Sequence, residues 1–366
     1  MPAVTKSGIP IRNIWHMLLY AWELAVTGDA RAIAIEDAPT LDALFSHILI
    51  EGVRRQLRRG MARSYRSQER AIRGVRGRID FTMSLRKLAF NNGQAYCRFH
   101  EFTTNEPRNQ IIRSTCAMLI NKGEFGEENA SSLALRHDLR RIVRDLEGID
   151  LVRNVVELIG QQMLGRNDRD YRIMLNVCEL LWRSWMPTEE EGPKTMRTSK
   201  RETLTLHKVY EKFVANFYRM RLKGWTVSAQ VPMNWHAEQE SPFLPGMRAD
   251  LRLRNERTTD LFILDTKFTP NVLGESFTGN VVFKSSDLYQ MYTYLRTQED
   301  ISEAHRKAGG ILLYPTVLVE LDEQLLIQGH PIRIVTVDLS KPWNEIESTL
   351  LSLFDAVPSA CRLERH

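Results

Sequence analysis

The 366 residues, 43% hydrophobic and 26% charged, fit two domains that each bury a core, and this composition excludes a disordered or fibrous chain. No apolar stretch approaches the roughly 20 residues of a membrane span and the first residues lack the apolar core of a secretion signal, so a cytoplasmic protein is expected. A net charge of +5 is too small on so long a chain to identify a polyanionic partner, and Cys97, Cys116, Cys178 and Cys361 lack the CxxC spacing of zinc or iron–sulfur sites.

After Asn13 the opening segment, with Ile14, Trp15, Met17, Leu18 and Tyr20, is apolar on both sides of a helix and predicts burial. A second helix follows from Asp42 to Arg59, with Leu44, Ile48 and Leu57 opposed by arginines and Gly60 as its stop. Arginines then crowd the chain as far as Arg78. Such a run suits bidentate phosphate pairing, but it reads equally as a solvated helix face followed by a polar strand, or as a surface for a protein partner. Between Arg63 and His100, short alternating stretches separated by Gly74, Gly77 and Asn91-Asn92-Gly93 predict β-hairpins that project. Asn105-Glu106-Pro107 carries helix-start signals, and helical periodicity continues through Trp185 with a break near Gly165.

The acidic, proline-containing stretch from Met186 to Lys194 predicts a domain boundary. Beyond it, Leu206, Val209, Tyr210, Phe213, Phe217 and Met220 recur at helical spacing. Strands are expected at Trp225 to Val231, Met247 to Arg254 and Leu261 to Phe268, then a helix from Ser286 to Thr297. Further strands are expected at Gly310 to Tyr314, Val317 to Leu321 and Pro331 to Val337, which makes an α/β domain.

Asp265-Thr266-Lys267 closes a run, Leu261 to Leu264, that is apolar on both faces and therefore reads as a central strand ending in charge. A D-x-K tripeptide occurs about once by chance in a chain of this length, so its context has to supply the specificity. Period-2 alternation puts Asp265 and Lys267 on one face. If the preceding strand forms a hairpin over Glu256 to Thr259, Asp250 falls opposite Asp265. Facing carboxylates about 5 Å apart at their Cβ atoms repel unless a divalent cation lies between them, and Mg²⁺ takes hard oxygen ligands of this kind. Lys267 then serves to orient or deprotonate a water and to stabilise charge on a phosphate; the alternative is a surface hairpin with a Lys–Asp salt bridge. On the next helix Gln290 and Tyr294 fall four apart on one face, suited to a water, a nucleic-acid backbone or a base, or to plain half-exposure. Glu211, on the earlier helix, offers a third carboxylate or a solvated one.

The order Asp250, Asp265 with Lys267, Gln290 with Tyr294 resembles the PD-(D/E)XK nuclease superfamily, with Ala249 where Pro is usual before the first Asp and Asp265 where Glu is commoner. A closer resemblance, over nearly the whole chain, is to the McrC family of nuclease subunits in McrBC modification-dependent restriction systems. It is carried by Ile9 to Ile14 with Met17-Leu18 and Tyr20-Ala21-Trp22, by Gly74 to Phe81, by Asn109 with Ile111-Ile112 and Ser114-Thr115, and by Leu288 to Met291.

That resemblance implies a mixed α/β adaptor with a β-hairpin projection over residues 1–190 and a restriction-endonuclease-like domain over residues 191–366. It further implies Mg²⁺-dependent cleavage of double-stranded, methylcytosine-containing DNA, and a McrB-like AAA+ GTPase hexamer as partner. The adaptor would enter the pore of that ring and stimulate GTP hydrolysis, with Arg76 and Arg78 as the expected contacts. The chain has no G-x-x-x-x-G-K-[ST] loop of its own. Two other readings stay open: a non-catalytic activator of a ring NTPase whose nuclease fold only grips DNA, and a standalone repair nuclease.

Overall fold

The computed structural model describes residues 8–23, 38–165, 168–185, 194–237, 239, 241–269, 273–275, 281–317 and 320–355. The expected boundary segment at 186–193 and Cys361 lie outside these residues. The chain forms two units, one of Met1–Leu41 with Thr188–His366 and the other of Asp42–Pro187.

In the second unit, α2 (Leu41–Arg59) runs to Gly60, whose φ of +98° stops the helix as expected. Leu44 and Ile48 are buried, whereas Leu57 is exposed. A three-stranded antiparallel sheet follows, made by β1 (Ser64–Arg73), β2 (Arg78–Ile79) and β3 (Gln94–Thr103) in the order β1-β3-β2. The expected run of tight hairpins is instead one sheet whose outer strands sandwich β3. The short helix α3 (Phe81–Arg86) lies in the connection and is capped by Asp80 Oδ1, which accepts from Met83 N at 2.8 Å. Gly77 has φ +68°, and a Cβ there would sit 2.4 Å from Arg98 O, so only glycine lets the chain pass β3 this closely.

The helices α4 (Pro107–Lys122), α5 (Ala130–Asp145), α6 (Val155–Gly160) and α7 (Arg169–Trp185) complete the unit. Asn109 ties them to the sheet: its buried amide donates to Ala62 O at 2.9 Å and Thr104 O at 2.8 Å, and its carbonyl accepts from Tyr171 Oη at 2.7 Å. The arginines of α2 are largely neutralised within the unit, Arg54 by Glu51 and Asp138, Arg55 and Arg59 by Asp170.

The first unit contains α1 (Ile11–Ala21), α8 (Lys194–Arg221), β4 (Trp225–Met233), β5 (Met247–Asn255), β6 (Leu261–Thr266), the small hairpin β7 (Leu273–Glu275) and β8 (Val281–Phe283), and α9 (Ser285–Arg296). After these come α10 (Glu303–Arg306), β9 (Gly309–Thr316), β10 (Asp322–Ile327), β11 (His330–Asp338) and α11 (Trp343–Asp355). Six strands form a mixed sheet in the order β10-β11-β9-β6-β5-β4, with β6, β9 and β11 parallel and the rest antiparallel to their neighbours. Parallel strands are covered on both faces, which is why β6 and β9 are buried throughout and mostly apolar. α9 packs so closely that a Cβ on Gly310 of β9 would lie 2.7 Å from the Met291 side chain. The strand expected at Val317 to Leu321, partly outside the described residues, lies at β10 instead.

The N-terminal helix departs from the expected division at residue 190, because α1 packs on α8 within the same unit as the six-stranded sheet. Its apolar face supplies the reason. Asn13, buried within it, donates from Nδ2 to Leu339 O at 2.8 Å and Lys341 O at 2.9 Å, and Asn216 of α8 donates to Tyr20 O at 3.2 Å and Ala21 O at 3.1 Å. His16 stacks on Trp343 with ring centroids 4.8 Å apart. Losing both bonds of Asn13 inside the core costs about 2 kcal/mol. Asn13→Ala should lower stability by that amount in urea titration followed by tryptophan fluorescence. A fragment beginning at residue 191, which leaves the α8 face bare, should melt well below the full chain or aggregate.

Candidate functional site

The β5–β6 ladder has the register expected from alternation: Leu251 faces Leu264, and Asn255 N donates to Asp260 O at 2.9 Å. Continued by one residue, this frame sets Asp250 across from Asp265. The backbone ladder stops there because Asp250 Oδ2 takes over, accepting from Thr266 N at 2.8 Å and Thr266 Oγ1 at 2.7 Å. On the other side of Asp250, the β4–β5 register is unbroken, with Ala229 opposite Leu251 and Val231 opposite Ala249, but Gln230, at φ +52°, does not pair with Asp250 across from it. Its amide donates to Glu211 Oε1 of α8.

Asp265 is 3% exposed. Lys267 Nζ lies 2.6 Å from its Oδ2, yet off the line of a hydrogen bond, so that oxygen is buried without an aligned donor. The ammonium also donates to Gln290 Oε1 at 2.6 Å. Gln290 Nε2 donates to Tyr294 Oη at 2.6 Å, and Tyr294 Oη donates to Arg248 O at 2.7 Å. The chain of contacts fixes Lys267 from behind. It also corrects the expectation that Tyr294 touches a nucleic-acid backbone or base, because its ring is 4% exposed and belongs to the core.

Burial, reinforced by the Asp250 carboxylate, pushes Asp265 up to about 6. Burial works against the charge of Lys267, but the Asp265 carboxylate outweighs it and raises the lysine above its ordinary value. Burial first and Asp250 second push Glu211 up as well. Among the described residues no three His, Cys, Asp or Glu side chains converge as a ready metal cage. The donor set, Asp265 Oδ2 without an aligned donor beside Asp250, nevertheless fits a Mg²⁺ ion, which needs only one or two carboxylates and otherwise keeps its waters.

Four contributors were not singled out from the sequence. Thr266 and Gln230 orient Asp250 and Glu211, and Tyr314 Oη of β9 donates at 2.8 Å to Asp287 Oδ2 at the start of α9. The carboxylate of Asp287 bears electrostatically on Asp265 and Lys267. Period-2 alternation hides Thr266, since it assigns the middle of a D-x-K tripeptide to the opposite face. In the other unit, the Arg76 guanidinium lies 4.6 Å from the Phe99 ring centroid and 3.9 Å from Glu101 Oε1, while Arg78 is exposed on β2 opposite Arg98.

A family model described as "McrBC 5-methylcytosine restriction system component" matches residues 3–315. The chain is 29% identical over 352 residues to the Escherichia coli (strain K12) protein "Type IV methyl-directed restriction enzyme EcoKMcrBC", covering 95% of this chain and 97% of that protein. Its fold is similar, at a TM-score of 0.53 and 16% identity, to a chain of the refined half-complex from the tetradecameric assembly of Thermococcus gammatolerans McrB AAA+ hexamers with bound McrC. That match covers 95% of this chain and 76% of the other. No helix among the described residues is long and apolar enough to cross a membrane.

Asp265 binds its proton more tightly in the native state than in the unfolded chain. The stability this gives is complete below the unfolded value of 3.8 and is lost as pH rises through about 6. With chelator present, Asp265→Asn should therefore melt a few degrees above wild type at pH 8, and the gap should close as pH falls below 6. A melting curve for the variant below wild type at pH 8 would show that the Lys267 ion pair outweighs the burial of the charge.

Proposed function

The chain belongs to the McrBC 5-methylcytosine restriction system component family, and from that premise we propose that it is the DNA-cleaving subunit of such a system, hydrolysing phosphodiester bonds of double-stranded, methylcytosine-containing DNA with Mg²⁺. The observation that carries the reading is Asp265, a buried carboxylate beside a second one, with Lys267 held against it by Gln290. An ion pair kept only for stability needs one carboxylate for one ammonium; the surplus charge in this pocket is what a cation site requires. The six-stranded sheet with α8 and α9 is read as a PD-(D/E)XK nuclease domain.

Asp250 and Asp265 would hold Mg²⁺, with Glu211 the nearest further carboxylate. When bound, the ion would supply Lewis-acid polarisation of the phosphate. Lys267 is placed to orient or deprotonate an attacking water and to stabilise charge on the phosphate oxygens. Gln290 and Tyr294 keep its ammonium from swinging out to solvent, and Thr266 holds Asp250 in place through two hydrogen bonds. In this reading the chain works with a McrB-like AAA+ GTPase hexamer, consistent with the absence of a phosphate-binding loop from its own sequence. Arg76 and Arg78, in the Asp42–Pro187 unit, are the proposed partner contacts.

The test is cleavage of methylated and unmethylated DNA by the full chain with its partner, GTP and Mg²⁺. Asp265→Ala should abolish cleavage and weaken Mg²⁺ binding in calorimetry, while stimulation of the partner's GTPase stays at the wild-type level; wild-type cleavage by this variant would overturn the assignment. Lys267→Ala should lose cleavage by about a hundredfold or more while binding Mg²⁺ almost normally, since its role is with water and phosphate. Gln290→Ala, which only frees the lysine, should lose less than either. Changing Arg76 and Arg78 together to Ala should reduce GTPase stimulation but leave Mg²⁺ binding alone.

A further inference from the structure

The two faces of the β1-β3-β2 sheet differ in kind. On one, Cys97 and Phe99 of β3 are buried with Ala95, and Ile72 and Ile79 pack against them to form the sheet's own core. Alternation sends the intervening residues to the opposite face, where cross-strand register sets Tyr65 against Phe102, Ser67 against His100, Glu69 against Arg98, Ala71 against Tyr96 and Arg73 against Gln94. Tyr65 is 72% exposed and Phe102 53% exposed, with ring centroids 5.0 Å apart. These rings do not sit in an apolar groove. The residues around them are polar, and Arg63 reaches over Phe102 with its guanidinium 5.8 Å from the ring centroid.

We infer that this face binds single-stranded DNA, with Tyr65 and Phe102 stacking on unpaired bases and Arg63 and Arg73 contacting phosphates. A ligand matched to this surface must offer flat, unsaturated faces and closely spaced negative charge together, and nucleic acid does both. A duplex hides the faces of its bases inside the stack, so exposed rings on an open sheet favour single strands. The charge supports the same occupant: of the arginines between Arg63 and Arg78, Arg66 faces Asp150 and Arg70 and Arg76 face Glu101, while the acid of that segment, Glu69, is paired with Arg98. Among the described residues, neither Arg63 nor Arg73 has an acidic partner.

The inference goes beyond the nuclease reading and does not depend on it, because no residue of the Asp265 centre takes part. Of the two proposed partner contacts, Arg76 stacks on Phe99 on the other face of the sheet, whereas Arg78 lies across from Arg98 on the aromatic face.

The experiment is fluorescence anisotropy on the full chain in chelator, so that cleavage cannot interfere, with a short fluorescein-labelled oligothymidylate and a mixed-sequence duplex of the same length. Tyr65→Ala with Phe102→Ala should weaken oligothymidylate binding by about tenfold or more without changing its salt dependence, and should leave duplex binding within about twofold of wild type. Arg63→Gln and Arg73→Gln should each make the slope of log affinity against log salt shallower by about 0.7. Tyr65→Phe should retain binding, and unchanged circular dichroism excludes misfolding, as expected for exposed rings. Wild-type binding of the oligothymidylate by the double ring variant, or equal losses on single strand and duplex, would overturn the inference. If that variant binds DNA normally but no longer stimulates the partner GTPase, the face is a protein interface and the inference is wrong.

Discussion

A carboxylate at the end of β6 has lost most of its water, because β5 and β9 flank the strand and α9 covers it. Such a charge is held in a folded protein only with a compensating group beside it. Lys267 provides that compensation in part, and Gln290, Tyr294 and the Arg248 carbonyl hold the lysine in place, so the four residues behave as one assembly that spans β5, β6 and α9. Asp250 acts in the opposite sense. It adds a second negative charge and interrupts the β5–β6 ladder by capturing the Thr266 amide. Sequences that fold for stability alone have no use for this arrangement, which makes the imbalance of charge more informative than the presence of any one residue.

The site was legible where a period could be counted. A two-residue repeat on β5 and β6 sets their register and so places Asp250 with Asp265, and helical spacing puts Gln290 and Tyr294 on one side of α9. Depth was not legible in the same way. Spacing gives the direction in which Tyr294 points but not the thickness of the layer above it, so a ring expected at the surface is part of the core. The break at Gln230 left no trace either, since a non-glycine residue with positive φ inside a strand is invisible to an alternation pattern that continues unchanged on both sides of it. β7 and β8 passed unnoticed because three-residue strands carry too little periodicity to separate from loops, whereas α11, with Trp343, Ile346, Leu350 and Leu353 at helical spacing, was legible and was missed.

In the Asp42–Pro187 unit, Asn109, Ser114 and Thr115, which carry the family resemblance, encode packing. Asn109 satisfies two backbone carbonyls and a tyrosine hydroxyl, Ser114 Oγ accepts from Val152 N at 2.8 Å, and Thr115 Oγ1 accepts from the Trp182 indole at 2.9 Å. Buried polar groups with complete partner sets fix one arrangement of helices and tolerate few substitutes. The arginines divide by the same test. Arg54, Arg55 and Arg59 of α2 find carboxylates inside the unit, whereas among the described residues Arg63, Arg73 and Arg78 on or beside the sheet do not.

The membership of α1 in the sheet unit changes what the Asp42–Pro187 unit is. The expected order, an adaptor followed by a nuclease domain, would leave the two joined at one point. Instead the adaptor is an insertion, with its two ends leading back to α1 and α8, which pack against each other. An amphipathic helix records in its sequence that it must be covered, but not by what, so the chain gave no sign that α1 is covered from residues two hundred positions away. The arrangement constrains folding, since the sheet unit cannot close its core until α8 and α11 have been made to receive α1. It also ties the insertion to the candidate site by connectivity, because α8 supports α1 along one face and carries Glu211, the carboxylate beside Asp250, on another.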